Sequence, residues 1–154
     1  MAEVRFYALQ RRRLEEALGE LLAEGLAAGL RVAVQAGDEE LAASLDERLW
    51  TLHDEDFLPH GLASAADAPH QPVTIGAGGE NPNRAAWRVF VGGADADPFL
   101  APGAEAYERL IVLFDDNEES AKAAARKTWT SAKSGAAEVS FWREAEDGAW
   151  MRAR

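Results

Sequence analysis

The chain has 154 residues, enough for one domain, residues 1–154, whose core buries on the order of two-thirds of the unfolded surface. Its 16 Lys and Arg stand against 27 Asp and Glu, a net charge of -11 that argues against direct DNA binding or adhesion to anionic lipid. The absence of cysteine excludes disulfides and thiolate metal sites and suits a reducing cytoplasm, and no apolar run is long enough for a membrane span.

The opening "MAEVRFYALQRRR" has no apolar core ahead of its basic run, so no secretion signal is read there. "EVRFYAL" reads as a first strand. A long helix follows from Leu9 to about Gly29, with Leu14, Leu18, Leu21, Leu22 and Leu26 on one stripe and Gly29 as its stop. "LRVAVQA" is a second strand. "GDEELAASLDERLW" is a second helix that Asp38 can cap and whose buried line is Leu41, Leu45 and Leu49. Thr51 to Asn83 is irregular apart from a short strand, "PVTIG". "AWRVFVGG" and "ERLIVLFDD" are two further strands, the second a continuous apolar run expected of a strand covered on both faces. "EESAKAAARKTWTSAKS" is a third helix, with Asp116 or Asn117 as its cap. The remainder reads as a hairpin turned at Asp147-Gly148.

This order predicts an α/β fold: three layers, a mixed but mainly parallel sheet, helices on both faces and antiparallel strands at one edge. The topology resembles that of nucleotide-binding domains, yet the residues offer no nucleotide site. The corner after "VAVQA" is Gly37-Asp38-Glu39-Glu40, and that after "VLF" is Asp115-Asp116-Asn117-Glu118-Glu119; both repel phosphate. "GAGGENPN" lacks the spacing of a dinucleotide loop and reads as a turn. No cofactor and no metal is expected. His53 with Asp54 and Asp56 lacks the usual ligand spacing, and Asp115-Asp116 reads as a helix cap before it reads as a receiver-like acidic pocket. No acid, base and nucleophile assemble, so no catalytic residue is assigned.

One feature runs against the acidic composition. From Ser120 to Ala137 there are four cations, Lys122, Arg126, Lys127 and Lys133, and no acid. On a helix Lys122, Arg126, Trp129 and Lys133 share one stripe, backed by Ala121, Ala124, Ala125, Thr128 and Ala132. Such a stripe is either a solvated face, with lysine stems lying over a half-buried Trp129, or a site for an acidic peptide carrying an aromatic. A second cluster, Trp50, Phe57, Leu58, Pro59 and Leu62, lies in a segment with turn residues and is either tucked onto the core or offered to a partner.

"RFYAL", "GLRVAVQAGDEELAASLDERLW", "FLPHGLA", "PVTIG", "RLIVLFDD" and "AKAAARKTW" follow one another in an order that resembles the chi subunit family of bacterial DNA polymerase III, from about Val4 to Trp142. The resemblance implies a non-catalytic adaptor in DNA replication. One face would bind the acidic C-terminal tail of single-stranded DNA-binding protein, which ends in a Phe carboxylate. Another would bind the psi subunit or a replacement partner and, through it, the clamp-loader complex. Lys122, Arg126 and Trp129 match the family's tail site, with Lys133 beside them; where the family often carries a further basic residue, this chain has Thr130, and Lys127 or Lys133 could supply the charge. Phe57, with Trp50, Leu58 and Pro59, matches the psi side. The rival class is a small-ligand or nucleotide-binding, receiver-like α/β domain.

Overall fold

The computed structural model describes residues 3–51, 59–101, 107–135 and 138–153. The elements in chain order are β1 (Glu3–Leu9), α1 (Leu14–Ala27), β2 (Val32–Ala36), α2 (Glu39–Thr51), β3 (Gly61–Leu62), β4 (Val73–Gly76), β5 (Trp87–Val91), α3 (Asp97–Leu100), β6 (Arg109–Asp115), α4 (Glu119–Ser134), β7 (Glu138–Glu144) and β8 (Trp150–Ala153). The strands form one sheet in the order β3-β4-β2-β5-β6-β1-β7-β8, and every pairing is parallel except that of β7 with β8. The expected α/β class and mainly parallel sheet are therefore present. The expected edge differs in one respect: β7 runs parallel to β1, and β8 alone is antiparallel. A helical crossover precedes β7, which permits a parallel return.

Strand alternation sorts the core into two layers. Tyr7, Leu9, Val32, Val34, Val89, Ile111 and Leu113 pack under α1 and α2. Val4, Phe6, Phe90, Leu110 and Val112 pack on the other face, under α3 and α4. The apolar run of β6 feeds both layers, as its composition predicts.

Local signals explain most boundaries. α1 starts only at Leu14, because residues 10–13 form the corner after β1. It ends in a Schellman turn: Gly29 has φ +77°, Leu30 N–H donates to Gly25 O at 3.0 Å, and Gly29 N–H donates to Leu26 O at 3.0 Å. Asp38 Oδ1 accepts from Leu41 N–H at 2.7 Å and caps α2. Neither Asp116 nor Asn117 caps α4, whose N-cap is Glu118. Asp115 Oδ1 instead accepts from Asn117 N–H at 2.9 Å, and Asn117 Nδ2 donates to Gln10 O at 2.8 Å, so these side chains tie two corners together. Asp147-Gly148 does turn the final hairpin, with Gly148 at φ +87°.

The sheet's C-terminal edge shows why phosphate is unwelcome there. The corner after β1 presents free backbone N–H groups, but Glu144 from β7 already fills it: its carboxylate accepts from Arg11 N–H at 2.8 Å and Arg12 N–H at 3.1 Å. The corner after β2 is closed by contact, since a Cβ on Gly37 would collide with the carbonyl oxygen of Gly92. That corner therefore faces a backbone carbonyl as well as its own three acids.

A fully buried guanidinium organises the loop before β5. Arg88 of β5 is 1% exposed and donates to Gln35 Oε1, Gly78 O, Glu80 O and Tyr107 Oη. It also lies 4.5 Å from the centroid of the Phe99 ring. All five N–H donors are satisfied by neutral acceptors, which is how a cation without a carboxylate is accommodated in the interior.

Gly37→Ala should destabilise the fold by about 1–3 kcal/mol through overpacking against backbone, whereas Gly135→Ala, whose Cβ would meet only ordinary contacts, should shift stability by less than about 0.5 kcal/mol. Urea denaturation of the two variants beside the parent checks this. In alkali, burial pushes the Tyr7 hydroxyl's pKa up from its ordinary value, and the Arg5 hydrogen bond opposes this. The folded state then holds the phenolic proton when the unfolded chain has lost it, so stability should decline as pH rises past about 10. Tyr7→Phe should make that decline shallower, as followed by urea midpoints across the alkaline range.

Candidate functional site

α4 forms because residues 121–125 and 132 are mostly alanine, the best helix former, and its small face lies against the sheet at Ala125 and Ala132. The roll of α4 about its axis is set by Trp129. The half-buried ring meets Phe6 of β1 edge-on at 5.3 Å and Phe141 of β7 edge-on at 5.9 Å. Lys133 Nζ sits 5.1 Å from the centroid of the Trp129 ring. The expected stripe is thus one flank of α4, turned toward β7 and bounded on its inner side by the tryptophan. Lys122 on it is half-buried, and Arg126 and Lys133 are exposed.

These cations are unpaired among the described residues. Arg5, Arg12, Arg13, Arg48 and Arg109 each lie within ion-pair distance of a carboxylate. Among the described residues Lys122, Arg126 and Lys133 have no such partner. Glu119, one turn before Lys122, is the acid nearest to them on the helix and forms no ion pair with them. Thr130 adds no charge and returns its hydroxyl to Arg126 O at 3.1 Å. Lys127 lies on the opposite flank, beside a hollow that Ala121, Ala124 and Thr128 share with Gly92 and Phe114. Of the two cations expected to compensate for Thr130, Lys133 is the one on the stripe.

Residues that the helix pattern alone did not single out complete the surroundings. The rings of Phe141 of β7 and Phe114 of β6 lie 6.0 Å apart diagonally across β1, where Phe141 is in register with Phe6 and Phe114 with the small, fully buried Ala8. The Arg143 guanidinium lies 5.4 Å from the centroid of the Phe141 ring. Met151 of β8 pairs in register with Arg143 and is 54% exposed. The alternation of "EVSFWRE" could have put Val139, Phe141 and Arg143 on one face, but not beside α4.

The second expected cluster is only partly described. Trp50 is 47% exposed at the end of α2, its ring 4.1 Å from that of His60. Pro59 is half-buried, and His60 Nε2 lies 2.8 Å from Asp46 O. Phe57 and Leu58, like His53, Asp54 and Asp56, fall outside the described residues. α2 packs in the core layer opposite to that of α4, so Trp50 and the α4 stripe belong to opposite sides of the sheet. Asp115 and Asp116 are engaged with Asn117 and Gln10, and among the described residues no group of three or more His, Asp or Glu could hold a metal.

Fold and surface together define a doubly wound α/β domain that carries a basic, aromatic helix flank. Residues 1–140 match the family model described as DNA polymerase III chi subunit, HolC, and the chain belongs to that family. It is also similar to the DNA polymerase III subunit chi of Escherichia coli (strain K12), at 39% identity over 62 residues. That match covers 40% of this chain and 42% of the relative's length. Among the described residues no helix is long and apolar enough to cross a membrane.

Trp129→Ala should cost about 1.5–3 kcal/mol of stability, roughly half the loss expected for a fully buried aromatic. Arg126→Ala should leave stability within about 0.5 kcal/mol, since its side chain is exposed and unpaired. Thermal unfolding of both variants distinguishes a residue that shapes the surface from one that only occupies it.

Proposed function

We propose that this protein is a non-catalytic adaptor of the DNA polymerase III assembly in DNA replication, working in the cytoplasm and binding neither DNA nor membrane itself. Its α4 flank takes the acidic C-terminal tail of single-stranded DNA-binding protein. The segment that begins at the end of α2, to which the sequence assigns Trp50, Phe57, Leu58 and Pro59, takes the psi subunit or a replacement partner and thereby reaches the clamp loader. Family membership supports the setting. The observation that carries the tail reading is the row of unpaired cations, Lys122, Arg126 and Lys133, beside a half-buried Trp129 in a protein of net charge -11.

The chemistry suits such a tail. A guanidinium can take a carboxylate in two parallel hydrogen bonds, and lysines add point charges. The Trp129 edge and the Phe141 ring offer apolar contact to a terminal phenyl group. The acidity of the rest of the protein disfavours extended polyanions, so a short ligand that reaches only the basic flank is preferred over a nucleic acid backbone. Few residues of such a ligand become ordered, which places affinity around micromolar.

Isothermal titration with an acidic peptide ending in a free Phe carboxylate tests the reading. Arg126→Ala should weaken binding by about 1.5–3 kcal/mol, and raising ionic strength should weaken it further. Amidating the peptide's terminus should also weaken it, while Trp50→Ala should leave it unchanged. Equal affinity of the parent for the free and amidated peptides, with no effect of Arg126→Ala, would overturn the tail site.

A further inference from the structure

The family match ends at residue 140, so the outer part of β7 and all of β8 lie beyond it. This hairpin is held firmly on one face. Tyr7 stacks with Trp142 at 5.9 Å and meets Trp150 edge-on at 4.9 Å. The Arg12 guanidinium lies 5.0 Å from the Trp150 ring, and Glu144 is fastened to the corner after β1. The opposite face of the hairpin carries Val139, Phe141 and Arg143 from β7 and Met151 and Ala153 from β8. Alternation sends the strand's acids, Glu138 and Glu144, to the anchored face, so the α4 side of the hairpin strands holds no carboxylate.

The placement of Arg143 follows from the geometry of the crossover. α4 connects the parallel strands β6 and β7 and so runs antiparallel to them. From the Trp129–Phe141 contact, Arg126 lies about 4.5 Å toward the N-terminus of α4, at about 1.5 Å per residue. From the same contact Arg143 lies about 6.6 Å toward the C-terminus of β7, at about 3.3 Å per residue. Both displacements point the same way. Arg126 on the helix and Arg143 on the strand therefore lie at nearly one level, both displaced to the same side of the Trp129–Phe141 contact, with the Phe141 ring 5.4 Å from the Arg143 guanidinium. Among the described residues neither is paired with a carboxylate.

We propose that the hairpin beyond residue 140 is the second wall of the peptide groove, and that Arg143 reads an acidic side chain upstream of the ligand's C-terminal aromatic while Arg126 takes the terminal carboxylate. This rests on the tail-binding reading above and adds a determinant of specificity: the ligand carries at least two separated negative charges with an aromatic ring between two cations. Met151 supplies exposed apolar surface beside Arg143 for the stem of the upstream residue.

The test uses the full chain and a synthetic hexapeptide with two aspartates upstream of a free C-terminal Phe, compared with the same peptide carrying asparagines. Arg143→Ala should weaken the aspartate peptide about 3- to 10-fold and reduce the salt dependence of binding, without loss of thermal stability. The asparagine peptide should bind the parent more weakly, and Arg143→Ala should change its affinity little. Arg143→Lys should recover part of the loss. If Arg126→Ala weakens both peptides while Arg143→Ala matches the parent, the second wall is refuted and the tail site stands. If neither substitution matters, both fail. Equal losses for the two peptides on Arg143→Ala would show altered packing rather than charge recognition and would also overturn the proposal.

Discussion

The edge-to-face contact between Phe6 and Trp129 is the constraint on which the candidate site depends. Phe6 is fully buried on β1, a strand hydrogen-bonded to β6 on one side and β7 on the other, so its ring cannot yield. Trp129 must come to it, and with Ala125 and Ala132 on the sheet the roll of α4 is settled. Lys122, Arg126 and Lys133 then emerge on the flank toward β7, and Lys127 on the flank toward β5. Phe141 in turn meets Trp129 at 5.9 Å and Phe114 at 6.0 Å.

The charge distribution makes sense of an acidic protein with a basic stripe. Several arginines outside α4 are consumed by the protein's own carboxylates or carbonyls: Arg12 by Glu20, Arg13 by Glu16, Arg88 by a ring of neutral oxygens. Among the described residues the cations of the α4 flank are not. An unpaired surface cation keeps its hydration and its field, and in a chain of net charge -11 that field is local. The same separation appears along β7, where one residue of alternation divides Glu144, which closes the corner after β1, from Arg143, which faces α4.

Much of this was legible in one dimension. The apolar run of β6, the leucine stripes of α1 and α2, the glycine stop at Gly29 and the cap at Asp38 are local signals, and the structure places each where its pattern says. The stripe of α4 was legible too, because residues four, three and four apart share a helix face whatever the fold. Two readings failed for a common reason. Asp116 and Asn117 looked like caps but bind Gln10, and both strands of the last hairpin were expected to run antiparallel in the sheet, whereas β7 joins β1 in parallel while still pairing antiparallel with β8. In both cases the deciding partner lies more than a hundred positions away, where no local pattern signals it.

Sequence by itself determined the longer elements, though not the short β3 and α3, together with the layer order and the set of side chains that could make a basic, aromatic flank, since periodicity and backbone chemistry act within a few residues. Only the tertiary structure decided what that flank faces. Strand pairing brought Phe141 and Arg143 across from Trp129, turned Glu144 into the anion that fills the corner after β1, and set Trp50 on the other side of the sheet. Those juxtapositions arise from crossovers between strands distant in the chain. No local pattern encodes which strand a crossover will return to, because the choice is made by burial of both faces of the sheet at once.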